Sequence, residues 1–558
     1  MAVALNVLPF TMSMIMMIVI VLTAVHALAV QAWTWPDPRM EDLESARWDT
    51  DGWFPRVPVA AGLKPCTSWI RGDGHGRSNA ADWVRTAFHD MATYNSATGT
   101  GGIDASIRWE TSRPENVGNG FSLTFQFFRN SPGRYLSMAD IISLALVGVV
   151  ETCGGPELEW RGGRIDATAE NDPLFTVPEP QGTLQSHIDA FARMDFDQTE
   201  MIGLVACGHT FGGVQKSAFP DLVPELNDPN NTESNAPFDT TRVNFDNNVA
   251  TEYIGGTTTN PLVTNANDTF NSDKRIFGSD GNQTMAALAN DPNLFRQTCG
   301  VLFNKMINIV PSGVQLTEII TPLTVKPRKV EVVHRGDGYL AFNGEVRLWN
   351  PAVNPARNMR VVVHHLNGTS IINTTHTSDM IGSAAGGRYR SEWFSWNIPG
   401  SQNVTAIPLT ETTGAKGAHF EVQESPGGEW VVHDQQGLGF PIFDTAIFSE
   451  TSCIIMRNLS IPYQGKYRVA VRRDDPPYRV FIVGSVGVVA GIPTFETIDL
   501  SPPGNSTPTT SPYDLWEAFL DNDHIFERWT LSIEQTSTSG HLDVGLERNP
   551  ASDFTIQC

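Results

Sequence analysis

Residues 81–107 read ADWVRTAFHDMATYNSATGTGGIDASI, and the interpretation of the whole chain starts from this stretch. If its first part is helical, Arg85 and His89 are four residues apart and project from one face, with Phe88 beside them. An imidazole next to a guanidinium pairs an acid/base group with a fixed positive charge. Taken alone, this pair is more typical of a solvent-facing helix, so further residues are needed before a site is inferred.

A second stretch, residues 200–213, reads EMIGLVACGHTFGG and places His209 at the end of an apolar helix. The small residues around it would let a flat macrocycle approach, although a lone His here is more often structural than a ligand. Asp280 is a carboxylate near a helix start that could accept a hydrogen bond from His209, as metal-bound imidazoles usually require. Asn116 could hold the Nδ1–H of His89 and leave Nε2 free as a base. These residues together predict one metal-binding and one catalytic imidazole.

The periodicity of the 558-residue chain changes at Pro311. Before it, residues 184–194 repeat apolar side chains at helical spacing, and Asp197 with Glu200 resembles a capping box. After it, β-branched residues alternate with polar ones between Gly, Pro and Asn turns. The fold class is therefore multidomain, a mainly α domain followed by an all-β, sandwich-like domain.

The boundaries follow from these patterns and from the start of the chain. We predict a signal peptide or anchor over residues 1–32, the α domain over residues 33–312 and the β-rich domain over residues 325–558. Residues 501–512 (SPPGNSTPTTSP) read as a linker or long loop.

The composition and the N-terminus indicate a secreted, extracellular protein. Acidic residues outnumber basic ones by 61 to 38, which argues against a nucleic-acid partner. No charged residue precedes Asp37, and an apolar run is followed by small residues that suit cleavage near Ala29 or Ala32. An uncleaved membrane anchor is the alternative. Sequons typical of an exported glycoprotein begin at Asn230, Asn267, Asn282, Asn367, Asn373, Asn403, Asn458 and Asn505.

Motifs in a fixed order resemble those of the plant and fungal haem peroxidases. They are R-x-x-F-H-D, G-x-D-x-S, E-N-x-G, G-H-T, P-F-D-x-T followed by F-D, and S-D. The resemblance covers residues 78–309 and is greatest to the secreted fungal (class II-like) branch, because Phe88 stands where the intracellular branch usually carries Trp. The β half shows nothing comparable.

The resemblance implies a haem b enzyme that reduces hydrogen peroxide through a ferryl intermediate. His209 would be the proximal ligand to the haem iron, Asp280 the carboxylate behind it, and Phe238 the proximal aromatic residue. On the distal side, His89 would move a proton between the peroxide oxygens, with Arg85 stabilising the developing charge.

The resemblance also implies two Ca²⁺ sites made of oxygen ligands. The distal ligands would be Asp90, Gly102 (through its carbonyl), Asp104 and Ser106. The proximal ligands would be Thr210, Asp239, Thr241, Asn244 (through its carbonyl) and Asp246. The alternative for each Asp is an ordinary loop residue or helix cap.

Departures from the family bear on the electron donor. Fungal manganese peroxidases carry acidic residues where this chain has Ser78, Asp82 and Gln215. Only Asp82 keeps the charge, which argues against a Mn²⁺ site. We therefore expect small organic donors, phenolic in type, oxidised at the haem edge.

The cysteine pattern is reduced relative to the secreted fungal enzymes. Cys153 resembles one of their cysteines, with Cys66 as a reasonable partner, while Cys207 is expected to be a buried free thiol. Cys453 and Cys558 are the cysteines of the C-terminal half and form a plausible pair.

The leading hypothesis is a secreted peroxidase whose β half targets it to a cell wall, a glycan or a partner. We expect that half to be separable, so that a chain ending near Pro322 would still fold and bind haem. The alternative is a catalytically reduced haem-binding or glycan-binding protein in which the β half carries the function. A carbohydrate-active enzyme in the β half would need a carboxylate pair that the sequence does not offer.

Overall fold

The computed structural model describes residues 33–175, 177–376, 380–398, 409–455, 464–474, 476–477, 479–489, 492–504, 510–520, 529–534 and 541–543. The predicted signal segment, residues 1–32, lies outside the described residues, as does Cys558 of the predicted Cys453 pair. Within the described ranges, no helix has the length and apolar character needed to cross a membrane.

The first half is helical, as its periodicity predicted. Its helices are α1 (Pro38–Trp48), α2 (Val59–Leu63), α3 (Asn79–Met91), α4 (Gly120–Phe128), α5 (Met138–Thr152), α6 (Leu184–Arg193), α7 (Gln198–Gly208), α8 (Asn248–Gly255), α9 (Pro261–Thr264), α10 (Ser272–Phe277), α11 (Gln283–Asn290) and α12 (Pro292–Ile307). The predicted capping box is present at the start of α7, where Asp197 accepts from the Glu200 amide and Glu200 from the Asp197 amide.

Two disulfides fix this half. Cys66 and Cys153 are bonded, as the resemblance implied. Cys207, expected as a free thiol, is instead bonded to Cys299, which joins α7 to α12. The expectation failed because Cys299 lies on a different helix, 92 residues away, and only the fold brings the two helices together.

The second half consists of strands, together with three short strands contributed by the first half. They are β1 (Asp51–Gly52), β2 (Gly213–Gln215), β3 (Asn235–Pro237), β4 (Val325–His334), β5 (Leu340–Trp349), β6 (Asn358–His364), β7 (Ser370–His376), β8 (Ile381–Ala384), β9 (Tyr389–Ile398), β10 (Gly417–Gln423), β11 (Val431–His433), β12 (Phe440–Pro441), β13 (Ala446–Ser449), β14 (Cys453–Ile455), β15 (Gln464–Arg472), β16 (Arg479–Val489), β17 (Ile492–Asp499), β18 (Tyr513–Leu520), β19 (Trp529–Glu534) and β20 (His541–Asp543).

These strands form three main sheets. The largest runs β1-β8-β9-β5-β4-β13-β15-β14 with β18 also on β15, and it is antiparallel except where β13 meets β4. The second runs β11-β10-β6-β7 with β12 on β10, and the third runs β17-β16-β19-β20. Strand β17 ends at Asp499 and β18 begins at Tyr513, so the Pro-rich stretch, residues 501–512, falls between two strands of the β half; residues 505–509 of it lie outside the described residues. The predicted fold class, helical domain followed by β domain, is confirmed.

The N-terminal segment of the helical half is built into the β half. Strand β1 pairs with β8 and adds an edge strand to the largest sheet. Trp33 and Trp35 belong to the apolar core of the β half, and the backbone N–H of Trp35 donates to Gln435 Oε1 at 2.8 Å. Residues at the start of the described chain therefore share one core with strands of the β half.

A buried ionic cluster also joins the two halves. Lys326 on β4 and Arg347 on β5 are fully buried against Glu44 and Asp49, at the end of α1. Lys326 Nζ lies 3.0 Å from Asp49 Oδ2, and Arg347 Nη1 donates to Asp49 Oδ1 at 2.7 Å. We call these four residues the interdomain ion cluster.

These contacts argue against the expectation of a separable β half, which stays a prediction to be tested. A chain ending near Pro322 would lack both cations of the interdomain ion cluster and leave two carboxylates at a former interface. It would also expose Trp48, whose ring lies 5.2 Å from that of Trp349. The sequence did not reveal this interface because its ion pairs join residues almost three hundred positions apart.

Candidate active site

A cavity of about 420 Å³ in the helical half brings together the two imidazoles predicted from sequence. Helix α3 contributes Arg85, Phe88 and His89 to its lining, and His209 after α7 and Phe238 after β3 also line it. The cavity has the size and the mixed lining of apolar and convergent polar groups that cofactor sites usually show. The candidate active site is therefore where the sequence motifs placed it.

Helix α3 positions the distal side of this cavity. Ser78 caps its start, since the Ser78 side chain accepts from the amide of Ala81 at 3.2 Å. The helical spacing then points Arg85 and His89 into the cavity from one face, as predicted. Arg85 Nη2 donates to the carbonyl of Val117 at 3.0 Å, which fixes the guanidinium beside the imidazole.

His89 is held in one tautomer by Asn116. The two side chains meet at 2.7 Å between Nδ1 and Oδ1, and the Asn116 amide donates to the carbonyl of Glu110 at 2.9 Å. Since Asn116 Nδ2 is occupied as a donor, its oxygen accepts from Nδ1–H and the Nε2 atom of His89 is left as an acceptor. The relation predicted between these residues is present.

The electrostatics keep this imidazole neutral. Burial and the neighbouring charge of Arg85 lower the pKa of His89 to about 3. Burial also lowers the pKa of Arg85, to about 10, so the guanidinium remains charged at neutral pH. The pair is a neutral base beside a fixed cation, which is the combination that proton transfer from a weak acid needs.

On the proximal side, His209 follows the last residue of α7 and binds a carboxylate that the sequence analysis did not select. His209 Nδ1 lies 2.7 Å from Asp273 Oδ2, and Asp273 is fully buried on α10. The side-chain amide of Asn260 donates to the same oxygen at 2.8 Å. With Nδ1 engaged, Nε2 is the nitrogen of His209 that remains for a ligand in the cavity.

The prediction that Asp280 plays this role is wrong. Asp280 accepts hydrogen bonds from the amides of Gln283 and Thr284 at 3.0 and 2.9 Å, and so caps the start of α11. Within the helical half Ser-Asp occurs twice, at residues 272–273 and 279–280, and the order of motifs alone does not say which copy supports His209. The first copy is followed by apolar Ile276 and Phe277, a sign of burial that the second copy, followed by glycine, lacks.

Phe238 stacks on His209, with ring centroids 3.9 Å apart and planes at 8°. Strands β2 and β3 produce this contact. Their pairing places Pro237 opposite Gly213, four residues after His209, and so brings the next residue, Phe238, close to the imidazole. A Cβ atom at Gly213 would lie 2.1 Å from the Ala236 carbonyl oxygen, so the pairing requires glycine there. Phe238 therefore limits the rotation of the proximal imidazole.

The residues present fit a haem. The cavity separates His89 from His209, and each imidazole has its Nδ1 atom bound by a protein group, so that Nε2 is free on both. Carboxylate–imidazole pairs such as Asp273–His209 are the usual support of a metal-bound His. Haem, when bound, would supply the redox-active iron between the two sides.

The five predicted ligands of the proximal calcium site lie together. Thr210 Oγ1 donates to the carbonyl of Asp246 at 2.8 Å and lies 3.3 Å from that of Asn244. Thr241 Oγ1 donates to Asp246 Oδ1 at 2.9 Å. Asp239 Oδ2 is buried and has no hydrogen-bond partner, and burial raises the pKa of Asp239 to about 7. An unpartnered buried carboxylate oxygen among other oxygen atoms fits a hard cation.

The predicted distal calcium ligands also lie together, but the group contains an amide. Asn171 Nδ2 lies within 3.4 Å of oxygens of Asp104, Ser106 and Thr93. Asp90 accepts from the Ala105 amide at 2.8 Å, and the Gly102 amide donates to Thr93 Oγ1 at 3.4 Å. A hydrogen-bond donor directed at these oxygens does not fit a cation in the same space.

The three positions compared above with those of fungal manganese peroxidases are otherwise engaged. Ser78 caps α3, and Asp82 accepts two hydrogen bonds from Arg77 and one from Trp69, all at 2.9–3.0 Å. Gln215 lines the cavity as a neutral side chain. The one acidic residue is therefore already paired inside the protein.

Comparisons with known proteins agree with this geometry. Residues 66–291 match the family model described as Peroxidase. A protein of Arthroderma benhamiae, named WSC domain-containing protein, is 42% identical over 320 residues, which are 56% of this chain and 43% of that protein.

Two proteins whose names identify them as peroxidases are also similar to this chain. L-ascorbate peroxidase 5, peroxisomal, of Arabidopsis thaliana is 30% identical over 184 residues, 33% of this chain and 60% of that protein. Cytochrome c peroxidase, mitochondrial, of Emericella nidulans is 31% identical over 134 residues, 23% of this chain and 37% of that protein. The chain thus spans 60% or less of the length of each of these relatives.

Proposed function

We propose that this chain, whose residues 66–291 form a domain of the peroxidase family, is a haem peroxidase that reduces hydrogen peroxide and oxidises small organic donors. The family match confirms the resemblance drawn from the motifs to the haem peroxidase superfamily. The assignment to the secreted fungal branch stays a prediction, because the relatives named above include ascorbate and cytochrome c peroxidases.

The observation that carries the proposal is the pairing of two differently supported imidazoles across one cavity. Asn116 leaves His89 as a neutral proton acceptor, and Asp273 supports His209 as a ligand. These are different demands, since one imidazole must take up and return a proton of the peroxide and the other must remain bound as a ligand. Both are met by residues within 3 Å of each ring.

His89 would move the proton of the reaction. Its Nε2 atom takes a proton from the first oxygen of hydrogen peroxide and returns it to the second, which leaves as water. Arg85 stabilises the negative charge that develops on the leaving oxygen. Haem, when bound, would supply redox chemistry at this site, with one of the two electrons for O–O cleavage coming from the iron and the second from its surroundings, and the organic donors would replace both.

Phenolic and similar small donors are the class that we propose. The support is the state of the Mn²⁺ positions, where Asp82 is paired with Arg77 and Gln215 carries no charge. Steady-state assays with a phenol, a non-phenolic aromatic, Mn²⁺, ascorbate and cytochrome c would decide between donor classes. Turnover with Mn²⁺ above that with the phenol would contradict the proposed class.

We further propose that the protein is exported and glycosylated and holds calcium at the proximal site. Asn230, Asn267, Asn282 and Asn367 of the predicted sequons are exposed, which supports glycosylation. The disulfides suit an oxidising compartment. The unpartnered Asp239 oxygen supports the cation. Recovery from culture medium, a mass decrease on glycosidase treatment and metal analysis test the three points in turn.

We also propose that the β half binds a cell-wall or glycan ligand while it stays in contact with the helical half. The binding of folded full-length protein to fungal wall polysaccharides, compared with the binding of the denatured protein to the same material, would test this separately from the peroxide reaction.

The central experiment is spectroscopic. Purified full-length protein reconstituted with haem should show a Soret band that shifts on adding hydrogen peroxide and returns on adding a phenol. His209→Ala should lose stable haem binding, while Arg85→Leu should bind haem and lose the rapid shift. A loaded protein that does not react with peroxide would favour the alternative, a haem-binding protein that has lost turnover, although intact Arg85, His89 and Asn116 argue against it.

A further inference from the structure

Asn171 places its side-chain amide inside the group of residues that the resemblance predicted as the distal calcium site. Asn171 Nδ2 donates to Ser106 Oγ at 2.8 Å and lies 3.0 Å from Thr93 Oγ1. The Asp104 carboxylate oxygens are 3.1 and 3.4 Å from the same nitrogen. A calcium ion would have to lie about 2.3–2.6 Å from these oxygens, in the space that the amide nitrogen takes.

The backbone of Asn171 is fixed on both sides. Its N–H donates to Glu110 Oε1 at 2.9 Å, and its carbonyl accepts from Arg113. Arg113 Nη1 lies 3.3 Å from the second carboxylate oxygen of Glu110, which closes the arrangement. The amide is therefore held in place by two partners that are themselves paired.

Asp90, another predicted calcium ligand, has both carboxylate oxygens engaged. They accept from the backbone amides of Ala105 at 2.8 Å and of Asp104 and Ile107 at 3.1 Å. Three amide donors satisfy most of the lone pairs of a carboxylate. The turn that follows α3 is thus closed by hydrogen bonds from the chain itself.

We propose that the Asn171 amide replaces the distal cation in this protein, so that calcium is held at the proximal site alone. Asn171 is then a positioning residue for the distal base. The backbone N–H of Asn171 binds the Glu110 carboxylate, the backbone carbonyl of Glu110 accepts from Asn116 at 2.9 Å, and Asn116 binds His89. The side-chain amide of Asn171 holds Asp104 and Ser106, which a bound ion would otherwise ligate, while its backbone is tied through Glu110 to the residue that orients the distal base.

The test is the calcium content of full-length, haem-loaded protein after dialysis, measured by mass spectrometry of the metal. We expect about one calcium per wild-type chain, the same content in Asp104→Asn, and none in Asp239→Asn. Asn171→Asp exchanges the donor for a third carboxylate without changing size, so its content should rise to about two. A wild-type content of about two that falls to about one in Asp104→Asn would overturn the proposal.

A second measurement reads the positioning role. Asn171→Asp should react with peroxide about 10–100-fold more slowly after chelation and recover on adding Ca²⁺, because the ion would restore the lost support. Asp239→Asn, which keeps Asn171 but lacks the proximal ion, should show no such recovery when Ca²⁺ is added. Recovery of Asp239→Asn by Ca²⁺ through the distal site would also overturn the proposal.

This inference rests on the proposed peroxidase function only for the rate measurement. If the protein fails to react with peroxide, the metal count still decides the distal site. If wild type contains no calcium while Asn171→Asp contains about one, the distal inference stands and the proximal site is removed from the proposed function. If Asn171→Asp contains none either, the proposal that Asn171 takes the place of the cation is overturned.

Discussion

The Asp273 carboxylate accepts a hydrogen bond from His209 at 2.7 Å, and it does so from inside the core, where its side chain is fully buried. Asn260 donates to the same oxygen. Two donors on one buried oxygen hold the carboxylate in one orientation, and the hydrogen bond from His209 couples its charge to the imidazole. The electronic character of the proximal ligand is therefore set by Asp273.

The first prediction tests whether Asp273, and not Asp280 of the second Ser-Asp copy, supports His209. Asp273→Asn should raise the reduction potential of bound haem, because a neutral amide donates less charge through His209, and should weaken haem retention about 10–100-fold. Asp280→Asn is the matched control, since Asp280 accepts from the first amides of α11 and asparagine caps a helix about as well as aspartate, so stability should change little. Spectroelectrochemistry and haem transfer to an acceptor protein measure the two effects. Equal potentials in the two variants would contradict the assignment.

The second prediction concerns pH. The pKa of His89 is lowered to about 3, chiefly by burial and then by Arg85, so the base form persists down to acidic pH. The second-order rate with peroxide should stay level from neutral pH and fall only as pH drops through about 3, as His89 takes up a proton. Stopped-flow measurement of the Soret change across this range is the test. A midpoint near the ordinary His value of about 6.5 would show that the imidazole is not neutral in the way described.

Replacement of the same base checks its role from another direction. His89→Leu should slow the reaction with peroxide by roughly 10²–10⁴-fold, the usual contribution of a positioned acid/base group. Its haem spectrum should remain close to wild type, because His209 and Asp273 are untouched. A rate near that of wild type would exclude His89 as the proton carrier.

The distal half of the site could be predicted from sequence because its residues are close along the chain. Arg85 and His89 share one helix, and helical spacing alone places them on one face. The partners on the side of His209 are harder to predict from sequence, since Asp273 and Asn260 lie outside the helix that precedes His209. Their approach to the imidazole depends on how α7, α9 and α10 pack together. The same limit applies to Asn171, which reaches the turn after α3 from a loop 67 residues beyond Asp104.

The fold class could be predicted because periodicity is a local property, and the change near Pro311 corresponds to the end of α12 and the start of β4. The way the two halves contact each other could not be predicted from the sequence. Glu44 and Asp49 look like surface acids of an amphipathic helix until β4 and β5 bring Lys326 and Arg347 to them. Charges that are buried in pairs leave no apolar signal in the sequence.

The third prediction uses Glu41, on the same helix. Burial raises the pKa of Glu41 to about 7, although the charge of Lys326 and a 3.0 Å hydrogen bond from Trp35 Nε1 act in the other direction. The folded protein therefore holds a proton that the unfolded chain releases near the ordinary value of 4.5. Stability from this group is fully present at low pH and is lost as pH rises through the interval from 4.5 to about 7.

Glu41→Gln should remove that dependence. The variant should match wild type near pH 4.5 and be more stable above pH 7, where wild type must ionise a buried group. Denaturant unfolding at a series of pH values measures the difference, and Glu318→Gln, at an exposed position, is the control that should follow wild type. A difference that shrinks as pH rises would have the wrong sign for this explanation.

The fourth prediction tests whether the interdomain ion cluster makes the two halves one folding unit. Lys326→Met removes a buried cation and leaves Glu44 with Arg347 as its remaining partner, while Lys326 and Arg347 together hold the pKa of Asp49 low against the effect of burial. Loss of one partner of a buried ion pair costs about 3–5 kcal/mol, so the variant should unfold well below wild type. The exposed Lys416→Met should change stability by no more than about 0.5 kcal/mol. Unfolding followed by both the Soret band and tryptophan fluorescence should give one shared transition, which moves in Lys326→Met and stays in Lys416→Met.

By the same reasoning a chain truncated after Pro322 should fail to give soluble, haem-loaded protein, because β1, Trp48 and the acids of the cluster would all lose their partners. A soluble truncated chain that reacts with peroxide at the wild-type rate, or two separate transitions with only one of them shifted by Lys326→Met, would show instead that the halves fold independently.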